Sequence, residues 1–246
     1  MTISEFSDQF DVLYNNITSN QAPGLNEYEK SLFLTKAEKE IVKNHFTANS
    51  KGNDIGQGFD DSAKRQADFS VLMKTGTCTA VTEDAPTKID DRSSIYTYPT
   101  DVFIVINETV KVGTAYKQVI PLRYDEYTRL MSKPFKRPLK NQVWRLMNSG
   151  TVSGSTATKT VEIIAGPSES ITSYSVRYVR TPKPIIVGNL DGLTIDGVSD
   201  VSTVCEIDPI LHEDILQRAV ELAKVAWTAT GQDNAQLVLQ AGQRSE

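Results

Sequence analysis

A change of hydrophobic periodicity divides this chain into helical ends and a β-rich middle. Near the N-terminus, large apolar residues recur at spacings of three and four, the repeat of one helix face. These residues are Ile3, Phe6, Phe10, Leu13 and Ile17. Thr2 and Glu5 are spaced as a capping box, which predicts that an amphipathic helix begins here and buries its apolar stripe.

The same periodicity returns near the C-terminus. Apolar residues there are spaced by four, four, three and four: Leu211, Ile215, Ala219, Leu222 and Ala226. Asp208 can cap this helix and Pro209 suits its first turn, because proline lacks the N–H that the first turn leaves unpaired. This pattern predicts the strongest helix of the chain.

Two capping arrangements follow each other in the segment after the first helix. Asn26 precedes Glu29 and Thr35 precedes Glu38 by three residues, which predicts two short helices. In the second, Ala37, Ile41, Val42 and Phe46 form the predicted inner face, and Glu38 is expected to be exposed with Lys36, Lys39 and Lys43.

Residues 66–187 are rich in Val, Ile, Thr and Tyr, in short runs separated by Gly, Pro, Asn and Ser. The clearest predicted strands are 101–107, 158–164 and 173–180, and in the last one Tyr174, Val176 and Tyr178 share a face. A short helix over residues 124–131 is predicted to interrupt this region, since Pro134 and Pro138 prevent its continuation.

These patterns predict an α+β protein. Its N- and C-terminal helices form a helical bundle, and an antiparallel β region is inserted between them. The predicted ranges are 1–48 for the N-terminal helices, 66–187 for the β region, and 207–246 for the C-terminal helix and tail.

The chain offers little material for catalysis or metal binding. His45 and His212 are the two histidines and Cys78 and Cys205 the two cysteines, and no pair has the close spacing of a zinc site. Both histidines are expected at the surface, and both thiols reduced and packed. Phosphate-loop, dinucleotide and nucleophile-elbow motifs are absent, so we predict no catalytic residue, metal ion or cofactor.

No apolar run approaches the roughly 20 residues that a bilayer span requires, and the first residues lack the features of a signal peptide. We therefore expect synthesis in the cytoplasm and no membrane partner. The net charge of −5 opposes a polyanion, so any contact with DNA is expected to be local.

Two stretches are candidates for assembly contacts. Residues 129–145 contain six cationic side chains and no acidic one: Arg129, Lys133, Lys136, Arg137, Lys140 and Arg145. Contact with a neighbouring subunit, contact with DNA, and a solvated loop beside a buried Trp144 are all open readings of this basic run. The polar tail 231–246 is a short helix or an arm that orders on a partner, and its candidate contacts are Leu237, Leu239, Gln243 and Arg244.

Three groups of motifs resemble one viral family. The first is LNEYEKSLFLTKA at residues 25–37. The second comprises YDEY at 124–127, KPFKRP at 133–138 and VWRL at 143–146. The third comprises YVRTPKPI at 178–185, CE at 205–206 and LHEDILQRAVELA at 211–223. Together they resemble the ring proteins in the neck of crAss-like bacteriophages.

The resemblance implies a structural virion protein of the neck or tail, similar in fold and role to the head-to-tail adaptors of short-tailed phages. It implies a ring of identical copies that matches a dodecameric portal, binds the portal and adjacent tail or ring proteins, and lines the passage of the genome during ejection. DNA would then lie close to the protein without a specific site.

The alternative prediction is a capsid-associated or carbohydrate-binding module of a phage, with its site on the β region. Exposed Tyr96, Tyr98 or Trp144 clustered on one face would favour it. An enzyme is the least favoured class, because the chain lacks a converging set of titratable side chains.

Overall fold

The chain forms two units, one rich in helices and one built on a sheet. The computed structural model describes residues 1–17, 24–47, 68–81, 88–90, 93–133, 138, 141–148, 151–153, 156–166, 169–199 and 202–228. The helix-rich unit comprises Met1–Leu72 with Thr181–Glu246, and the sheet unit is Met73–Arg180. The predicted domain ranges 1–48, 66–187 and 207–246 stay a prediction.

Four α-helices are present in the described ranges. They are α1 (Ile3–Ile17), α2 (Glu27–Thr47), α3 (Tyr124–Met131) and α4 (His212–Thr228). The strands are β1 (Met73–Thr77), β2 (Thr79–Ala80), β3 (Ser93–Thr97), β4 (Val102–Val112), β5 (Ala115–Pro121), β6 (Gln142–Met147), β7 (Thr151–Ser153), β8 (Thr156–Thr158), β9 (Thr160–Ile164), β10 (Ile171–Arg180), β11 (Thr194–Ile195) and β12 (Val198–Ser199).

The predicted N-terminal helix is confirmed as α1. The backbone N–H of Thr2 donates to Glu5 Oε2 at 2.7 Å, and the backbone N–H of Glu5 donates to Thr2 Oγ1 at 3.3 Å, which completes the capping box. Phe6 and Phe10 are buried, and the Phe6 ring lies 5.3 Å from the ring of His212. The apolar stripe of α1 therefore packs against the beginning of α4.

The predicted C-terminal helix is confirmed as α4. The Asp208 carboxylate accepts the backbone N–H of Ile210 at 3.0 Å, and Pro209 opens a short 3-10 turn, Pro209–Leu211, that leads into the helix. Ile215 and Ala219 on the predicted stripe are fully buried.

The predicted pair of short helices is wrong, because α2 is one continuous helix. Asn26 and Glu29 do form the first capping box. Thr35 caps nothing; its hydroxyl instead accepts the backbone N–H of Ile185 at 3.1 Å. Glu38, expected to be exposed, is fully buried, and its Oε1 lies 3.5 Å from Cys205 Sγ. The polar side chains that resembled a second helix start thus contact distant segments of the chain.

One face of α2 carries a row of polar side chains that bind an extended segment. Glu27, Ser31 and Thr35 accept the backbone N–H groups of Asn189, Val187 and Ile185 at 2.6, 3.1 and 3.1 Å. Four helical residues rise about 6.0 Å and two extended residues about 6.6 Å, so the two spacings match. The extended exit predicted after Pro182 and Pro184 is therefore fixed against α2.

The sheet unit overturns the predicted fold class. Its main sheet has eight strands in the order β1-β10-β4-β5-β6-β9-β3-β2. All neighbours are antiparallel except β5 and β6, which are parallel. The prediction of a helical bundle with an inserted antiparallel β region, similar to short-tailed phage adaptors, is therefore wrong. The predicted helix 124–131 is α3 and does not merely interrupt the region: it is the crossover that returns the chain in the same direction, as parallel neighbours require.

The two ends of this strand order are consecutive in the chain. Strand β1 ends at Thr77 and β2 begins at Thr79, so only Cys78 separates the two outermost strands. The backbone N–H of Cys78 donates to the carbonyl of Tyr174 at 2.8 Å. The sheet therefore curls until its ends meet at Cys78.

The inner face of the curled sheet holds one apolar core. Tyr174, Val176 and Tyr178 lie in this core, which confirms their predicted common face. The three predicted strands are present, although β4 runs five residues beyond the predicted end at 107, to Val112, and Lys159 separates β8 from β9. On the outer face, Tyr127 of α3 packs edge-on against Trp144, with ring centroids 6.4 Å apart.

Candidate assembly surfaces

A groove on the outside of the helix-rich unit runs between α1 and the first turns of α4. Its apolar lining is formed by Val12, Leu13 and Leu216, and its volume is about 360 Å³. Leu216 is buried at the floor, whereas Val12 is 58% exposed at the edge. An apolar side chain held this openly on an amphipathic helix is available to another molecule.

Acidic side chains border the groove. Asp8 on α1 and Glu213 on α4 are both exposed. Helix α1 also carries Glu5 and Asp11 and has no lysine or arginine. The Asp11 carboxylate is 2.6 Å from Lys30 Nζ and is therefore partly compensated within the unit. The rim of the groove consequently favours a cationic partner.

A second helical contact, between α2 and α4, is closed by an ion pair. Arg218 Nε donates to Glu40 Oε2 at 3.0 Å and its NH2 nitrogen donates to Glu40 Oε1 at 2.6 Å. These hydrogen bonds, with a further one to Glu221, raise the pKa of Arg218. The bidentate geometry ties α2 to α4 and leaves Arg218 engaged within its own unit.

A buried polar cluster lies inside the curled sheet. Glu108 Oε1 accepts three hydrogen bonds, from Tyr98 at 2.7 Å, from Arg145 at 2.9 Å and from Tyr174 at 3.1 Å. Burial raises the pKa of Tyr98 to about 12 and raises that of Tyr174 further. Burial by itself lowers the pKa of Arg145, but its hydrogen bond to Tyr98 and the charge of Glu108 reverse that effect.

The predicted site residues fall into three groups. Arg145 points into the interior cluster, and Lys133 is exposed just beyond the end of α3. Lys136, Arg137, Lys140, Leu237, Leu239, Gln243 and Arg244 lie outside the described residues. The composition of the basic run did not predict the inward position of Arg145, although its alternation with Trp144 along β6 was the available signal.

The two histidines differ in burial, and the predicted surface role is wrong for His212. The His212 ring is buried, with Nε2 2.9 Å from the carbonyl of Ile207 and Nδ1 2.7 Å from the amine of Met1. Burial lowers the pKa of His212. The ring of His45 is half-buried and packs 5.0 Å from that of Phe69.

Both cysteines are packed thiols, as predicted. Cys78 and Cys205 are free and buried. Burial raises the pKa of each thiol to about 12, and the nearby carboxylates of Glu108 and Glu38 add to the shift. Their thiolate population is therefore very small at neutral pH, which makes them poor nucleophiles.

The aromatic residues that a sugar-binding face would need are buried. Tyr96, Tyr98 and Trp144 are only 6%, 7% and 5% exposed. They therefore form no exposed surface on which a sugar ring could stack. The exposed aromatic cluster that would favour the carbohydrate-binding alternative is not formed by these residues. Within the described ranges, no helix combines the length and apolarity needed to cross a bilayer.

Comparison with known proteins places the chain in a family. The family described as phage tail ring protein 3/4 matches residues 1–235. The chain is 51% identical over 250 residues to ring protein 4/5 of Bacteroides phage crAss001, with full coverage of both proteins. It is also 32% identical over 240 residues to ring protein 3 of the same phage, covering 93% of this chain and 97% of that protein.

These matches span nearly the whole chain and confirm the resemblance carried by the sequence motifs. They extend through both the helix-rich unit and the sheet unit, so the similarity is not limited to one of them. The chain therefore belongs to the phage tail ring protein 3/4 family and is a structural component of a bacteriophage.

Proposed function

We propose that this protein forms a ring in the neck or tail of the virion, connecting the portal to the tail and surrounding the genome passage. The observation that carries the proposal is the full-length similarity to ring protein 4/5 of phage crAss001. A ring of identical copies requires two different surfaces that meet head to tail and close by rotation. The protein acts by assembly and carries out no catalytic step.

Charge supports a role around moving DNA. The chain has a net charge of −5. An acidic passage repels phosphate groups, and each phosphate contact that is avoided removes a salt-dependent attraction. The genome is then able to slide through the ring during ejection without being held.

The assembly contacts belong to two stretches. Lys133, Lys136, Arg137 and Lys140 of the basic run meet a neighbouring subunit, and Arg145 stabilises β6, the strand that follows the run. In the C-terminal tail, Leu237, Leu239, Gln243 and Arg244 dock on the portal or on an adjacent ring. The ring contains twelve copies, which matches a dodecameric portal.

Electron microscopy of the purified protein mixed with the portal of its own phage tests this proposal. We expect particles in which a twelve-fold ring of this chain is stacked on the portal. Bare portals together with unassembled chain would overturn the connector role. A ring that forms but does not bind the portal would assign the protein to a lower position in the tail.

A truncation tests the role of the tail. Removal of residues 232–246 should abolish binding to the portal or adjacent ring while the thermal unfolding midpoint stays within a few degrees of that of the full chain. A second variant keeps the full length and replaces Leu237 and Leu239 with serine, which tests the same contact without a deletion. Normal assembly of both variants would remove the tail from the proposal.

A further inference from the structure

We propose that the basic segment of residues 133–140 in one copy binds the groove between α1 and α4 of the next copy. The inference rests on the proposed ring function and names the two surfaces through which copies meet. One surface belongs to the sheet unit and the other to the helix-rich unit, so the contact is heterologous, as a closed ring requires.

The groove suits a small apolar anchor. Its volume of about 360 Å³ lies at the lower end of the roughly 300 to 1,000 Å³ typical of ligand pockets. Leu216 forms a buried floor and Val12 a largely exposed edge. One or two side chains of a peptide segment fill such a space and cover Val12, which water otherwise surrounds.

The rim of the groove carries uncompensated negative charge. Asp8 and Glu213 are exposed, and within the described ranges no lysine or arginine forms an ion pair with either. Arg218, the cation nearest in sequence on α4, is engaged by Glu40 and Glu221. Two carboxylates beside an apolar floor define a partner that combines cationic and apolar side chains.

The segment 133–140 has that composition. In order, its residues are Lys133, Pro134, Phe135, Lys136, Arg137, Pro138, Leu139 and Lys140. Four cations and two large apolar residues occur without an acidic one. Lys133, where the segment begins, is exposed and lies two residues after the end of α3.

Charge and apolar anchoring therefore match on the two surfaces. Phe135 or Leu139 occupies the groove, and Lys136 and Arg137 meet Asp8 and Glu213. Exposed ion pairs of this kind contribute less than about 1 kcal/mol each and are screened by salt, so the apolar anchor supplies the remaining affinity. The contact is one part of a wider interface, because a standard interface covers about 800 Å² on each partner.

Charge reversal in two separate variants tests the pairing. The groove variant carries Asp8→Lys and Glu213→Lys, and the segment variant carries Lys136→Glu and Arg137→Glu. Each variant alone has like charges on both surfaces, so we expect its self-association to weaken about tenfold or more at low salt. Mixed at equal amounts, the two variants have opposite charges at every contact, and assembly should return as particles in which they alternate.

A control pair with the same charge change keeps the test specific. Asp125→Lys and Asp214→Lys alter two exposed acidic residues outside the groove, both in the first turn of a helix, as Glu213 is. The control pair therefore loses at least as much favourable helix-dipole interaction as the groove variant, in which Asp8 lies beyond the first turn of α1. Mass photometry should show wild-type assembly for this control. Failure of the mixed variants to assemble, or normal assembly of either one alone, would overturn the inference.

Peptide binding separates this inference from the ring proposal. A labelled peptide of residues 131–141 should bind the full-length chain in fluorescence anisotropy and bind the groove variant about tenfold more weakly. Replacing Phe135 and Leu139 in the peptide with serine should have a similar effect. Equal binding of the peptide to the wild-type chain and to the groove variant would overturn the inference, even if rings form. Weaker binding to the groove variant without ring formation would support the groove contact and count against the ring proposal.

Discussion

The sheet unit and the helix-rich unit place charged side chains in opposite environments. Inside the sheet, the side chains of Arg145 and Glu108 are 18% and 9% exposed and neutralise each other. On the helix-rich unit, Asp8 and Glu213 stay in water beside the exposed Val12. The sheet unit thus pairs these two charges within itself, whereas the helix-rich unit offers apolar surface and charge that a second molecule can use.

The two faces of α1 should respond very differently to truncation. Phe10→Ala removes a fully buried ring between the helices and should lower the free energy of unfolding by about 4 kcal/mol, as large-to-small core changes do. Val12→Ala, two residues away on the exposed face, should change it by less than about 0.5 kcal/mol. Urea unfolding measures both, and a large loss in Val12→Ala would show that its face is already packed in the single chain.

Breaking the ion pair inside the sheet should cost nearly as much. Arg145→Met leaves Glu108 buried without its cation, and we expect a loss of about 3 kcal/mol in unfolding free energy. Lys74→Met removes an exposed pair with Asp101 and serves as the matched control, with an expected loss of about 0.5 kcal/mol. Equal effects would contradict the internal role assigned to Arg145.

The polar row on α2 predicts a smaller effect. Thr35→Val deletes the hydroxyl that accepts the backbone N–H of Ile185 and leaves that donor buried, so a loss of about 2 kcal/mol is expected. Thr128→Val on α3 removes an exposed hydroxyl bonded to the Tyr124 carbonyl and should change little. If both substitutions are neutral in urea unfolding, the hydroxyl of Thr35 contributes nothing measurable to holding the extended segment.

The smallest effect concerns pH. Burial lowers the pKa of His212 from its ordinary value of 6.5, so the unfolded chain binds a proton more readily than the folded one. Stability should therefore fall as pH drops below about 6.5 and level off once the folded His212 is also protonated. A charge on His212 would lie beside the amine of Met1, 2.7 Å from Nδ1, whereas the charge of Arg145 inside the sheet lies against the carboxylate of Glu108.

Urea midpoints at pH 7.5 and 5.5 measure this effect. His212→Gln should show a smaller difference between the two pH values than the wild type does. His45→Gln, the change at the other histidine, is the control. An unchanged pH dependence in His212→Gln would rule out His212 as its origin.

Local patterns predicted most of the helices, and long-range contacts decided the rest. The capping box of Thr2 and Glu5 and the turn at Pro209 are local, and the structure confirms both. Thr35 followed by Glu38 has the same local pattern, but their partners are Ile185 and Cys205, far away in the chain. Spacing alone cannot distinguish a cap from a tertiary contact.

The sheet was harder to predict because its order is non-local. Cys78 joins the two ends of the strand order, and α3 makes β5 and β6 parallel; neither feature is visible in the alternation of single strands. The groove was missed for a different reason. The predicted stripe of α1 contained Leu13 as core, while Val12, beside it, received no role although it is 58% exposed.

Hydroxyl-radical footprinting of assembled particles and of the free chain tests the central claim most directly, because it reports the exposure of individual side chains. The claim is that copies meet through the outer face of α1 and the start of α4. Oxidation of Val12 and Leu13 should fall sharply in the particle, while that of Phe10, already buried in the free chain, stays low in both. Equal oxidation of Val12 in free and assembled protein would contradict the claim.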